Sequence, residues 1–468
     1  MTSTCDVLLS GGIVVTMDDT RRVLEDGAVA IAGNRIVAVD TAGAMTNWRA
    51  DTTVDCRGQV IIPGLIDCHN HLFQVAGRGL GDGMALWQWL GEFMLPLSAG
   101  ITPAEALAAA RLAAMEALSA GTTTIVDNHY APADVQTTLD IAAMLDQLGL
   151  RGVVARGMFG PYTAIARDNG LSPALFRSDT DNELASMRAC LATWRSERVK
   201  IWPAPINLIY NDLELVRGSV ALAREYGVKW HTHCSEARVD PEIYAQAYGI
   251  RPFAWMAQEG LLGPDATFAH AIWLDDHEVA LAGAQRCGIA HNPMSNEYLA
   301  SGAVRLRALR EAGVTMGIGA DGAAGHLMDL FQIMKQVVYV QRLATLDPQA
   351  THAWEAFELA TREGARLAGI DAGQLAPGKL ADLAVVSLAG AHMAPCFDVV
   401  ANLVYCASGR DVSLTMVDGR VVYAHGKPTF ADQDEVIAEA RARCRALVNR
   451  LGTPVRGPMS RVICGGPD

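Results

Sequence analysis

Pro63-Gly64-Leu65-Ile66-Asp67-Cys68-His69-Asn70-His71 is an apolar run that ends in two histidines separated by one residue. Side chains two apart on a strand share a face, so His69 and His71 can both project inward, toward one metal ion. Downstream, β-branched or apolar runs at 122–127, 152–158, 199–206, 228–233, 266–271, 288–291 and 314–319 alternate with Ala-rich amphipathic stretches such as 103–119, 212–226 and 303–312. With 60–67 as the first run, these make eight strand–helix units. That pattern predicts an α/β protein built on a (β/α)8 TIM barrel. Chemistry in such a barrel sits at the C-terminal ends of the strands.

Outside the barrel, short strands at 6–9, 11–17, 28–31, 35–39 and 53–56 precede it, and strands at 380–387 and 414–422 follow it. Turns at Pro377-Gly378 and Asp418-Gly419 punctuate the second group. They predict one small β-sandwich domain, discontinuous because both chain ends contribute. The expected organisation is an N-terminal sandwich segment at 1–59, the barrel at 60–375, a returning sandwich segment at 376–430, and a C-terminal helix (432–451) with a loose tail within 431–468.

The 468-residue chain is 50% hydrophobic and 19% charged, enough apolar material for one large core and a smaller accessory one. Its 38 Lys and Arg against 51 Asp and Glu leave a net charge of −13, the wrong sign for a general binder of nucleic acid or anionic membrane. The first residues lack the basic and apolar segments of a signal peptide, and no long apolar run appears, so a soluble cytoplasmic protein is expected. Ten cysteines lie far apart without a C-x-x-C pair, which predicts reduced, buried thiols.

The strand ends carry the informative residues. After His69 and His71 come His231-Thr232-His233-Cys234-Ser235-Glu236, then Phe268-Ala269-His270, then His291-Asn292-Pro293, and last Gly319-Ala320-Asp321-Gly322. Imidazoles and carboxylates gathered at the matching ends of five strands are costly to bury unless a cation or hydrogen bonds compensate.

These segments resemble the amidohydrolase superfamily, in its branch with one metal per site, which includes deaminases of nucleobases and adenosylhomocysteine and the triazine hydrolases. The motifs that carry the resemblance are PGLIDCHNH at 63–71, AGTTTIVD at 120–127, HTHCSE at 231–236, HNPMSNEYLASG at 291–302, GADGAAG at 319–325 and APGKLADLAVV at 376–386. The resemblance implies His69, His71, His233 and Asp321 as ligands of one divalent transition metal, with zinc, cobalt, iron and manganese all compatible. It also implies Glu236 as the proton-handling acid and base, and His270, with Asp321, beside the attacking water. The residue chemistry agrees: three imidazoles and a carboxylate leave a divalent ion net positive, and Glu236 stands three residues beyond a ligand. The two-metal branch bridges its ions with a lysine at the end of strand four. Here 201–207 holds no lysine and Lys200 lies at the strand entrance. His129, His231 and His291 read as supporting or core residues.

Substrate choice rests on the loops, whose aromatic residues favour a pocket with apolar walls and few polar anchors. Candidate contacts are Asn70, Gln74, Trp89, Phe253 and His326, with Asn207 and Arg78 as further polar candidates. Deaminases of bases usually carry Gly-x-x-Ser-Asn after the strand-eight Asp, whereas this chain has Gly322-Ala323-Ala324-Gly325-His326. The continuation after His233 also departs from the commoner pattern. Both departures direct the expectation toward a hydrolase of small neutral ureas, carbamates or thiocarbamates, as in the phenylurea and molinate herbicide hydrolases. The alternatives are an aminohydrolase of a nucleobase, pterin or s-triazine ring, which release of ammonia distinguishes, and a non-catalytic barrel scaffold, which would bind no metal. Relatives suggest a homo-oligomer, dimer or tetramer, acting on a small molecule.

Overall fold

The computed structural model describes residues 3–322 and 324–452. The tail expected after the C-terminal helix lies outside the described residues. Eighteen strands run along the described residues: β1 (Ser3–Val15), β2 (Val23–Ala32), β3 (Arg35–Thr41), β4 (Trp48–Asp55), β5 (Gln59–Pro63), β6 (Leu65–His71), β7 (Thr122–Asp127), β8 (Arg151–Met158), β9 (Val199–Pro205), β10 (Trp230–Cys234), β11 (Ala266–His270), β12 (Gly288–His291), β13 (Thr315–Ile318), β14 (Asp321–Gly322), β15 (Leu383–Ser387), β16 (Val412–Val417), β17 (Arg420–Ala424) and β18 (Lys427–Pro428). Strands β6 to β13 are the eight barrel strands, paired in parallel as β6–β7–β8–β9 and β10–β11–β12–β13. A bridge between Asn207 and His233 joins the two arcs on one side, and β14 pairs with the end of β6 on the other.

The predicted first run divides at Gly64. Residues up to Pro63 belong to β5 in the accessory sheet, and only Leu65–His71 enters the barrel. A Cβ on Gly64 would lie 2.2 Å from Thr123 Oγ1, so the chain can pass this closely between the two sheets only without a side chain. The two predicted strands at 6–9 and 11–17 are one strand, β1, which keeps its pairing with β2 through irregularities around Ser10–Val14.

Both chain ends meet in a nine-stranded mixed sheet ordered β18–β17–β16–β15–β5–β1–β2–β3, with β4 also paired to β1. Its inner face packs as one apolar cluster that includes Leu9, Val29, Ile31, Ile61, Leu383, Val385 and Met416. Arg151, buried at the entrance of β8, ties this domain to the barrel by pairing with Asp382 at 2.7 Å and Asp418 at 3.0 Å.

The helices follow from their sequences. Thr102 and Glu105 form a capping box that starts the helix Pro103–Ser119, and its Ala106, Ala109, Ala110, Ala113 and Ala117 are buried, so it lies close on the barrel. The terminal helix Gln433–Leu451 packs beside it, and Arg450 ion-pairs with Glu105 at 2.7 Å. Among the described residues no single helix is long and apolar enough to cross a membrane, and the nine described cysteines are free thiols.

Candidate active site

The strand ends bring the sequence-marked side chains to one point. Ligand atoms of His69, His71, His233 and Asp321 all lie within 4.8 Å of one another, and all four residues are buried. His71 Nε2 is 3.1 Å from His233 Nε2, and Asp321 Oδ1 is 3.3 Å from His69 Nε2 and 3.4 Å from His71 Nε2. With ligands about 2.1 Å from a zinc-like ion, neighbouring donor atoms stand roughly 3–3.5 Å apart, which these separations match.

Proton placement makes the same demand. His71 Nδ1–H donates to Asn128 O at 2.7 Å and His233 Nδ1–H donates to Ile206 O at 2.6 Å, since carbonyl oxygens only accept. Each ring therefore turns an Nε2 lone pair toward the other with no proton between them. A cation reconciles two such lone pairs; neutral protein groups alone do not. Burial and the neighbouring imidazoles depress these histidines, His71 to about 3 and His233 well below the ordinary range, so both rings are neutral. Burial works against ionisation of Asp321, but the imidazoles of His69, His270 and His71 outweigh it and hold the carboxyl well below its usual value. The cluster is a site for one divalent metal.

Local backbone fixes Asp321. Gly319 passes so near β6 that a Cβ there would stand 2.6 Å from His69 O and 2.5 Å from Asn292 Oδ1. Asp67, buried beneath the ligands, accepts from the Ala320 N–H at 3.0 Å and so anchors the residue before Asp321. Asp321 (φ 59°), His270 (φ 68°) and Ser235 (φ 50°) all occupy the left-handed region, a strain that the surrounding packing imposes where the strands end.

Beside the ligands, His270 Nε2 is 3.4 Å from Glu236 Oε2 and 3.4 Å from Asp321 Oδ2. Asn296 Oδ1 accepts from His270 Nδ1 at 2.9 Å, and Ser301 Oγ donates to Glu236 Oε1 at 3.2 Å. Burial raises the Glu236 carboxyl to about 7, although the neighbouring His270 works the other way. Asp240 holds the loop that carries Glu236 by accepting from the N–H groups of Glu236 and Ala237, each at 2.9 Å. It also accepts from Trp87 Nε1 at 2.9 Å, which couples the loop after β6 to the loop after β10. Nothing in local spacing marks Asn296 or Ser301, because their partners His270 and Glu236 are distant in sequence, whereas Asp240 stands only three and four residues beyond the N–H groups it accepts from. The HNPMSNEYLASG segment does contain Asn296 and Ser301.

These groups open into a cavity at the C-terminal mouth of the barrel, partly enclosed by the loops after β6, β9 and β12. Leu86, Trp89, Leu95, Tyr130, Tyr210 and Leu299 supply much of the apolar wall, and Gln74 and His326 face the same space. Gln74 Oε1 and His326 Nε2 are buried atoms without a protein hydrogen-bond partner. Two expected contacts lie elsewhere. Asn70 donates to Asp67 Oδ2 at 2.6 Å and so locks the strand end, while Phe253 packs on Phe268 with ring centroids 4.6 Å apart. Asn207 lines the cavity, whereas Arg78 pairs with Glu116 at 2.7 Å. Lys200 donates to Ser196 O at the entrance of β9, away from the ligands.

Residues 60–422 match the amidohydrolase family. The chain is 33% identical over 456 residues to 5-methylthioadenosine/S-adenosylhomocysteine deaminase of Nitratidesulfovibrio vulgaris, an alignment that covers 97% of this chain and 100% of the relative. The crystal structure of an adenosine deaminase of Xanthomonas campestris with bound zinc superposes with a TM-score of 0.88 at 26% identity, covering 96% of this chain and 100% of that one. Atrazine chlorohydrolase of Arthrobacter aurescens, solved with zinc, superposes with a TM-score of 0.83 at 26% identity, over 94% and 100% of the two chains. The deaminase relatives overturn the sequence-based expectation of a urea, carbamate or thiocarbamate hydrolase. That expectation rests on the missing Ser-Asn pair after Asp321, yet the fold brings His326 of the same segment to the cavity wall, so a polar group remains there. With a family match across most of its length and a buried set of ligands for one divalent ion, the chain belongs to the amidohydrolase family, in the deaminase and triazine hydrolase-like branch that uses a single metal.

Proposed function

We propose that the protein is an aminohydrolase that replaces the exocyclic amino group of an adenine-type ring by oxygen, with 5′-modified adenosines such as 5-methylthioadenosine and S-adenosylhomocysteine as the substrate class. The observation that carries this reading is the full-length likeness to deaminases of those compounds, at 33% identity over 97% of the chain. The arrangement of Glu236, His270 and Asp321 at the cavity floor supports it.

A divalent ion held by His69, His71, His233 and Asp321 supplies Lewis acidity that lowers the pKa of a water molecule toward neutrality. Glu236 takes the proton of the attacking water, since its carboxylate faces the ligands and its carboxyl, raised to about 7, is matched to proton exchange near neutral pH. His270, oriented by Asn296, directs Nε2 at the same region and steadies the attacking oxygen. As the carbon–oxygen bond forms and the carbon–nitrogen bond breaks, Glu236 hands the proton on to the departing amine. Ammonia leaves and the carboxylate is restored. Gln74 and His326 contact the polar edge of the ring and Trp89 covers an apolar face.

The test is ammonia release, with the accompanying change in purine absorbance, across 5-methylthioadenosine, S-adenosylhomocysteine, 5′-deoxyadenosine, adenosine, guanine and a triazine. Turnover of the adenosines is expected. Metal-loaded protein that deaminates none of them, or that acts only on guanine or the triazine, refutes the reading. The exposed apolar side chains Leu343, Leu346 and Phe397 support a homo-oligomer within this proposal, checked by light scattering on the purified protein.

A further inference from the structure

We infer that His231 and Thr267 are positioning residues that set the proton on the metal ligand His69, so that the metal site has a tautomer relay three side chains deep. His69 differs from its two fellow ligands. The Nδ1–H groups of His71 and His233 each donate to a backbone carbonyl, an acceptor that does not depend on the identity of the residue contributing it. His69 Nδ1 instead meets His231 Nε2 at 2.9 Å, and an imidazole nitrogen can either donate or accept. Nothing in that pair alone says which ring carries the proton between them.

The answer comes from one residue further back. Thr267 Oγ1 is 2.7 Å from Trp230 O, and that carbonyl can only accept, so the single hydroxyl proton of Thr267 is committed to it. Toward His231 Nδ1, 2.9 Å away, Thr267 Oγ1 is then an acceptor, and the His231 proton sits on Nδ1. The His231 Nε2 lone pair therefore receives the Nδ1–H of His69. That leaves His69 with an Nε2 lone pair directed at the cluster, and His69 Nε2 has no protein hydrogen-bond partner. Thr267, His231 and His69 are all fully buried, so water cannot substitute for a lost member. All three ligand rings thus present Nε2, two by backbone and one by relay, and His231 acts by proton direction without touching the ion.

Two substitutions separate proton direction from packing. Thr267→Val keeps the shape but removes the acceptor, so His231 is free to carry its proton on Nε2, donate to His69 Nδ1 and force the His69 proton onto the ligand atom. Thr267→Ser keeps the hydroxyl and should restore the relay. The expected result, read as zinc affinity by competition with a chromophoric chelator, is a loss of ~10–100-fold for Thr267→Val and for His231→Phe, with Thr267→Ser within a few-fold of wild type. Circular dichroism and melting of the metal-free proteins, expected to be alike for the two Thr267 variants, exclude a folding effect. Nitrogen-15 spectra of the zinc-loaded protein should show His69 and His231 both protonated at Nδ1. Should Thr267→Val fail to fold, His231→Gln carries the test: its amide oxygen accepts from His69 without any relay and should bind zinc more tightly than His231→Phe. Zinc affinity unchanged by Thr267→Val, equal loss in Thr267→Val and Thr267→Ser, or His231→Gln as weak as His231→Phe overturns the assignment. None of these readouts depends on which ring the enzyme deaminates.

Discussion

The floor and the wall of the cavity are both polar at a few points, but their polar atoms stand in opposite conditions. On the floor, the Nδ1 of every ligand histidine has a partner within 2.9 Å, and the Nε2 atoms converge. On the wall, Gln74 Oε1 and His326 Nε2 face the cavity with no partner from the protein. The floor holds its ligand atoms close together and turned toward one another, as a single divalent ion requires. The wall keeps hydrogen-bonding capacity in reserve for whatever molecule arrives, and buried groups left unpaired are a cost that only a ligand recovers.

From that contrast, damage to the floor is expected to abolish chemistry for every substrate, while damage to the wall redistributes preference among them. The largest effect is expected from Asp321→Asn, which removes the anionic ligand: bound metal measured by atomic emission and turnover should both be lost. Glu236→Gln should retain metal yet lower kcat by ~100-fold or more on all substrates alike, as removal of a general acid–base does. His326→Ala should leave metal content unchanged and reduce kcat/KM by ~10-fold, mainly through KM and unequally across a panel of adenosines. An equal loss on every substrate would move His326 from wall to floor. The smallest change is expected at the seam between the two. Trp87→Phe deletes the donor to Asp240, and with it one restraint on the Glu236 loop, so kcat should drop by about threefold with KM little affected.

The same contrast explains what could be read from sequence. Metal ligation demands particular residue types at strand ends, so PGLIDCHNH, HTHCSE and GADG announce the floor before any coordinates are known, and the period changes between them announce the barrel. Asn70 sits between two ligands and Phe253 in an aromatic-rich loop, yet one ties down Asp67 and the other fills the core against Phe268. Proximity in sequence could not tell these roles apart, since side-chain direction at a strand end or in a short helix is decided by packing. The wall misled further: the absent Ser-Asn pair suggested lost ring recognition, because spacing does not reveal that His326 folds back over the cavity. Asp240 stands four residues after Glu236, but its bond to Trp87, which comes from a different loop, had no signature in the sequence.

The pairing of β5 with β15 bears on how the molecule is made. β5 lies between β1 and β15, so until Leu383–Ser387 emerges during synthesis, one side of Val60, Ile61 and Ile62 is an unpaired apolar edge. The whole barrel is translated during that interval. A nascent chain of this design therefore carries a sticky border through most of its production, and its yield in cells should respond to chaperone supply and growth temperature more strongly than the finished fold's own stability suggests.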